Sequence, residues 1–129
     1  MFQRLDIFDM AQGLLRHASA RQSVIAGNIA NADTPGYRAR DVVPFAETYR
    51  KADGAGLRTT RAQHISPRAR GGEPAIVAAA GTTVAPNGND VSLESEMVKA
   101  AEVRIQYDMA MSVYTSALDI LKASIGRGR

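Results

Sequence analysis

Apolar residues recur near the start of the chain at intervals alternating between three and four: Phe8, Ala11, Leu15, Ala18, Ile25 and Ile29, with Gln22 in the one polar slot. That spacing is a heptad seam and predicts a helix from about residue 3 to residue 31. Leu5, Ile7, Leu14 and Val24 widen the apolar face. A helix of this length is roughly 42 Å long. Gly13 and Gly27 each weaken it by ~1 kcal/mol relative to Ala, so packing must hold it together. A second seam runs through Leu93, Met97, Ala100, Arg104, Tyr107, Met111, Tyr114, Leu118, Leu121 and Ile125. Arg104 is its one charged member. Ser92 is an N-cap candidate, Glu94 and Glu96 suit the positive end of the helix dipole, and Gly126 sits where a C-terminal cap belongs. This rod is on the order of 50 Å long and asks for a partner helix, from the same chain or a neighbour.

The stretch between the seams is of another kind. Residues 38–90 hold four of the five prolines and six of the eleven glycines. β-prone pieces are short: Val42-Val43, Leu57 to Thr60, Ile76-Val77 and Thr82 to Val84, and Asn87-Gly88 is a turn signal. The expected fold is therefore mainly α. Long N- and C-terminal helices pair as an α-helical hairpin or coiled coil, joined by a loop-rich middle with at most short β strands. The expected boundaries are 1–34 for the first helix, 35–90 for the middle with its turn, and 91–129 for the second helix.

The first helix ends on an emphatic stop. Asn28, Asn31, Asp33 and Thr34 are followed by Pro35, Gly36 and Tyr37. Pro35 has no N–H and pushes Thr34 out of the helical region. Gly36 readily takes the positive φ that a type II turn requires after a proline. Asn31 and Thr34 bond nearby backbone groups at such ends. Tyr37 offers a rigid ring just past the corner and is expected to pack on a neighbouring helix or subunit.

Composition narrows the function classes. Aromatics are 5% and Trp is absent, and much of the 45% hydrophobic content is Ala, so the chain has limited means to build a dense core of its own. The absence of Cys excludes disulfides and thiolate chemistry. No run of apolar residues is long enough for a spanning helix, and Asp6 and Asp9 break any secretory h-region. The net charge of +3 comes largely from the middle, where Arg50, Lys51, Arg58, Arg61, Arg68 and Arg70 face only Asp53. A stretch of that density suits a solvated loop, and a basic segment can also bind nucleic acid or an acidic surface.

Candidate chemistry is sparse. His17 and His64 lie far apart, and His17 has no carboxylate at helical spacing to form a ligand pair, which leaves a surface or satisfied histidine. Glu94 and Glu96 point to opposite sides of their helix. Gly71-Gly72 lacks a phosphate-loop context. Tyr107 and Tyr114 share a helical face, which suits core or interface packing and also a base-stacking platform. No catalytic or metal site and no cofactor is expected. Three classes stay open: a structural assembly protein, a basic helical nucleic-acid binder and a soluble helical adaptor.

The run from Arg21 to Val42, with Ala30-Asn31-Ala32-Asp33-Thr34-Pro35-Gly36-Tyr37 at its centre, resembles the signature of the bacterial flagellar rod and hook proteins. The stretch Asn87-Gly88-Asn89-Asp90-Val91-Ser92-Leu93-Glu94-Ser95-Glu96-Met97, the pair Gln106-Tyr107 and the piece Thr60 to Pro67 are similar to proximal-rod members of that family. The short length agrees, because hook and distal-rod relatives carry a folded middle domain. The resemblance implies a structural subunit, not an enzyme. Its terminal helices would form the inner wall of a periplasmic tube that transmits motor torque, after type III export without a cleaved signal. Implied partners are further copies of itself, other rod proteins, and basal-body ring and export-gate components. No nucleic acid, membrane span or small-molecule substrate is implied.

Overall fold

The computed structural model describes residues 2–54, 74–79 and 83–126 of the chain. Five elements follow in order: α1 (Phe2–Ala30), β1 (Arg40–Val42), α2 (Phe45–Gly54), β2 (Ile76–Ala78) and α3 (Leu93–Gly126). The Phe8 and Tyr114 rings meet edge to face at 5.5 Å, and Asn28 meets Glu96 at the other end. The two long helices therefore run antiparallel as a hairpin. They are about 44 and 51 Å long at 1.5 Å per residue.

The apolar core of this hairpin is small. Ala18, Ile25 and Val103 form the buried cluster, with Ala100 packed against it, and Ala11 and Ala110 continue the line. Small side chains let the helices approach closely, but they bury little area, so the apolar contribution per residue is modest. The middle segment supplies the second layer. β1 and β2 pair antiparallel with Arg40 opposite Ala78, Asp41 opposite Val77 and Val42 opposite Ile76. This ribbon lies along the flank of α1, and the Val42 side chain is buried there.

Several expectations need correction. Residues 45–54 are a helix, not a loop. Pro44 opens α2, with its carbonyl accepting from the Glu47 and Thr48 amides, and Phe45, Thr48 and Tyr49 share one face. The glycines that follow masked this short amphipathic stretch. Ser92 caps α3 as expected, its Oγ accepting from Ser95 N and its carbonyl from Glu96 N. Gly126 is instead the last residue of α3 and lacks positive φ, which among the described residues occurs only at Gly36 and Gly88. The β-prone pieces at Val42 and Ile76 are the two strands, whereas Val84 lies outside any strand. Leu57 to Thr60, His64 and the basic positions from Arg58 to Arg70 lie outside the described residues. None of the described helices is long and apolar enough to cross a membrane.

Candidate functional site

Two asparagine-rich turns, some fifty residues apart in sequence, close on each other at one end of the hairpin. The α1 terminus unwinds through Asn31, whose amide donates to Gly27 O and Asn28 O and whose Nδ2 donates to Gly27 O at 2.8 Å. Thr34 Oγ1 donates to Asn31 Oδ1 at 3.2 Å. Tyr37 N then donates to Thr34 O, with Gly36 at φ 73°, which is the type II turn that the Pro-Gly pair demands. Gly36 N donates to Asn87 O at 3.0 Å, so the first turn is tied to the second.

Asn89 is the centre of this corner. Its Nδ2 lies 2.9, 2.8 and 2.8 Å from the carbonyls of Asn31, Ala32 and Thr34, and its two protons are shared among the three. Asn31 O and Thr34 O also accept from the Thr34 and Tyr37 amides, so the Asn89 amide, from just ahead of α3, adds a second bond to each and one to Ala32 O. Asn89 Oδ1 accepts from Val91 N at 2.7 Å, which fixes the entry into α3. Asp90 accepts from the Ala39 amide and pairs with Arg38, while its own amide donates to Tyr37 O. Gly88, at φ 82°, lies so close that a Cβ there would stand 3.4 Å from the Gly36 Cα. Tyr37 does not reach outwards. Its ring is half-buried and its hydroxyl donates to Asn28 Oδ1 of its own α1 at 3.4 Å.

A polar clasp runs from this corner down the flank of α1. Asn28 Nδ2 donates to Arg40 O at 2.7 Å and to Glu96 Oε2 at 2.9 Å, and its Oδ1 accepts from Arg40 N. Lys99 Nζ donates to Glu96 Oε1 at 2.7 Å and stands 3.8 Å from Asp41. Arg21 forks onto both Asp41 oxygens at 2.9 and 3.2 Å. Two cations thus face two carboxylates, and the group joins α1, β1 and α3. Burial pushes the Asp41 carboxyl up, but the Arg21 bond, the Val42 amide and the Lys99 charge together bring it below its ordinary value. The hydrogen bond to Asp41 raises the Arg21 guanidinium still further. One turn away, His17 Nε2 donates to Val43 O at 2.7 Å and the ring meets Phe45 edge-on. His17 is buried, and its Nδ1 has no partner among the described residues. A cleft of about 430 Å³ beside it lies between the hairpin and the middle layer, bordered by Leu14, Phe45 and Met109.

Sequence reasoning missed Asn89, Asp90, Glu96, Lys99, Arg21 and Asp41. Glu96 is the clearest case: read only as a first-turn carboxylate suited to the helix dipole, it is 1% exposed. One usable signal was a polar line on α1, His17, Arg21 and Asn28, on the side of the helix next to the seam.

The seam positions divide unevenly. On α1, Ala11, Ala18 and Ile25 are buried, Phe8 and Leu15 half-buried, and only Ile29 exposed. On α3, Ala100, Tyr114, Leu118 and Leu121 are half-buried, whereas Leu93, Met97, Tyr107, Met111 and Ile125 are exposed. The face that α3 turns to α1 contains Glu96, Val103 and Ala110 instead. Ile125 extends past the start of α1. Met97, Tyr107 and Met111 have a different setting. Tyr107 and Arg104 line a groove of about 560 Å³ whose other wall is the α1 surface at Ala18, Ser19, Gln22 and Ala26. Met97 and Met111 fall on the same flank at heptad spacing from Arg104. No cluster of His, Asp and Glu that could hold a metal ion occurs among the described residues.

Residues 8–38, which carry most of α1 and the Pro-Gly corner, match the family described as flagella basal body rod protein. Over 129 aligned positions the chain is 34% identical to the flagellar basal body rod protein FlgB of Salmonella typhimurium, covering 92% of each chain. It is 32% identical to the protein of that name from Agrobacterium fabrum, over 88% of each chain. It is 28% identical to the Bacillus subtilis one, over 92% of each.

Proposed function

This chain belongs to the flagellar basal body rod protein FlgB family, and from that premise we propose that it is a subunit of the proximal rod that assembles through its terminal helices. Membership makes it a structural component of the basal body. The finer reading is that copies of this chain, with other rod proteins, stack their α1–α3 hairpins into the wall of a torque-bearing tube in the periplasm. Export unfolded through the type III apparatus, and contacts with ring and export-gate components, complete this reading.

One observation carries it. The most regular apolar pattern in the sequence, the α3 seam, is left outside the chain's own core along half its length, beside a groove floored by small α1 residues. Small floors and large flanking side chains are the complement that a third helix needs. A helix of a second copy is the proposed occupant, and non-closing contacts of this heterologous type build helical arrays.

Residues already exposed offer a clean test, because Ile25→Asp would destroy the chain's own cluster as well as any assembly face. Met97→Asp and Tyr107→Asp should leave the isolated chain folded and secreted, and should abolish swimming by burying an unpaired carboxylate at the subunit contact. Swimming at the parental rate with both changes, at parental protein level, would rule the seam out as the assembly face.

A further inference from the structure

The two halves of α3 treat one heptad seam differently. In the second half Tyr114, Leu118 and Leu121 are half-buried and Tyr114 meets Phe8, while Met111 and Ile125 are exposed. In the first half Leu93 and Met97 face solvent, at 49% and 62% exposed, and Glu96 and Val103 take the inward side. At about 100° per residue, Leu93 and Met97 lie roughly 60–100° around α3 from the inward line of Glu96, Val103 and Ala110, and because both patterns repeat every seven residues that offset is kept along the helix. Apolar burial alone favours the other rotation, since Leu93 and Met97 would bury more apolar area than Glu96 and Val103 do.

What opposes that rotation is polar and local to the first half. Glu96 accepts from Asn28 and Lys99, Lys99 reaches Asp41, and Asn28 is itself pinned to both backbone groups of Arg40. Turning α3 by its seam offset sweeps Glu96 and Lys99 several ångströms along their arcs, out of hydrogen-bond range, so that the buried Asn28 amide loses its carboxylate acceptor and Asp41 loses one of its two cations. We propose that the Asn28–Glu96–Lys99–Asp41 clasp is a rotational stop: it holds the first half of α3 with its own apolar seam outward, and so keeps that seam available to a helix of a second copy. Glu96 is the positioning residue, and it acts on assembly without touching the partner. The purpose assigned to the stop rests on the reading of the seam as an assembly face; the stop itself does not.

The absence of Cys makes the rotation measurable. Val103→Cys and Met97→Cys, introduced singly, report the inward and outward faces through their rates of maleimide labelling on the dilute full chain. In the parent background, Met97→Cys labels fast and Val103→Cys slowly. With Glu96→Ala added, the order should reverse, each rate moving by roughly an order of magnitude, while helix content by circular dichroism stays at the parent level. Glu96→Gln, which keeps an oxygen for Asn28, should retain the parent order. An unchanged order in Glu96→Ala overturns the stop. So does fast labelling at both positions with loss of helix, because Glu96 would then hold the fold together and not choose its face. The labelling order does not depend on motility, so failure of the stop and failure of the assembly reading are told apart.

Discussion

At the corner, one buried side-chain amide serves the carbonyls of Asn31, Ala32 and Thr34, whereas along the first half of α3 the Leu93 and Met97 side chains stand in solvent. The corner is built from directional bonds between parts of one chain, and a hydrogen bond unmade in a buried place is costly, so its geometry is settled within the monomer. The seam relies on apolar area, which has no directional demand and can be covered by any surface of the right shape. The proposed assembly would use both properties: a rigid angle at which the chain leaves the helix layer, and a surface left uncovered within the monomer.

The contrast is most easily broken at its centre. Asn89→Leu should be the most damaging change to the isolated chain, on the order of 3 kcal/mol, because it removes a buried amide's bonds to three carbonyls at the end of α1 and leaves the Val91 amide without its acceptor. The melting temperature measures it, and a change of less than about 1 kcal/mol would mean that water replaces the amide at no great cost. Gly36→Val should follow at about 2 kcal/mol, since a β-branched residue is forced to φ 73°. Gly36→Ala should lose less than Gly36→Val in the same melt, because Cβ branching adds to the strain.

Smaller still is the clasp at Asp41, where Asp41→Asn should cost about 1 kcal/mol at neutral pH. Its folded carboxyl lies below the ordinary value of 3.8, so the stabilisation is fully present above that value and is lost as pH falls through the folded one. Denaturant melts of parent and variant should therefore converge in strong acid and separate above about pH 4. The smallest effect on the isolated chain belongs to Tyr107→Asp, within about 0.5 kcal/mol. That is the intended asymmetry: a corner substitution is read in the melt, and a seam substitution is read in motility. A seam variant that melts far below the parent would erase the distinction between the two regions.

Much of the architecture was legible from local rules. Heptad spacing located α1 and α3, Pro35-Gly36 located a type II turn, and Asn87-Gly88 located the second turn. These features are decided by residues close together in the chain, where dihedral preferences and side-chain period act directly. α2 was hidden because its ten residues lie in a Gly- and Pro-rich context, and its Phe45 gains its anchor only from His17 on α1. Asn89 was hidden for a related reason. An asparagine before a helix reads as a local turn residue, and nothing nearby shows that its amide serves carbonyls more than fifty positions earlier.

By itself the sequence determined two long helices, where the first stops, and which residues could form an apolar stripe, since each of these follows from spacing and backbone chemistry within a few residues. Only the tertiary structure decided which side of α3 meets α1. A heptad pattern states that a stripe wants cover, but it does not say by whom, because apolar burial is indifferent to the identity of the covering surface. Glu96 breaks that indifference by reaching Asn28, a pairing 68 residues apart that exists only once the hairpin has closed. With that bond made, the inward face of α3 follows Glu96 and Val103, and Met97 is left facing outwards.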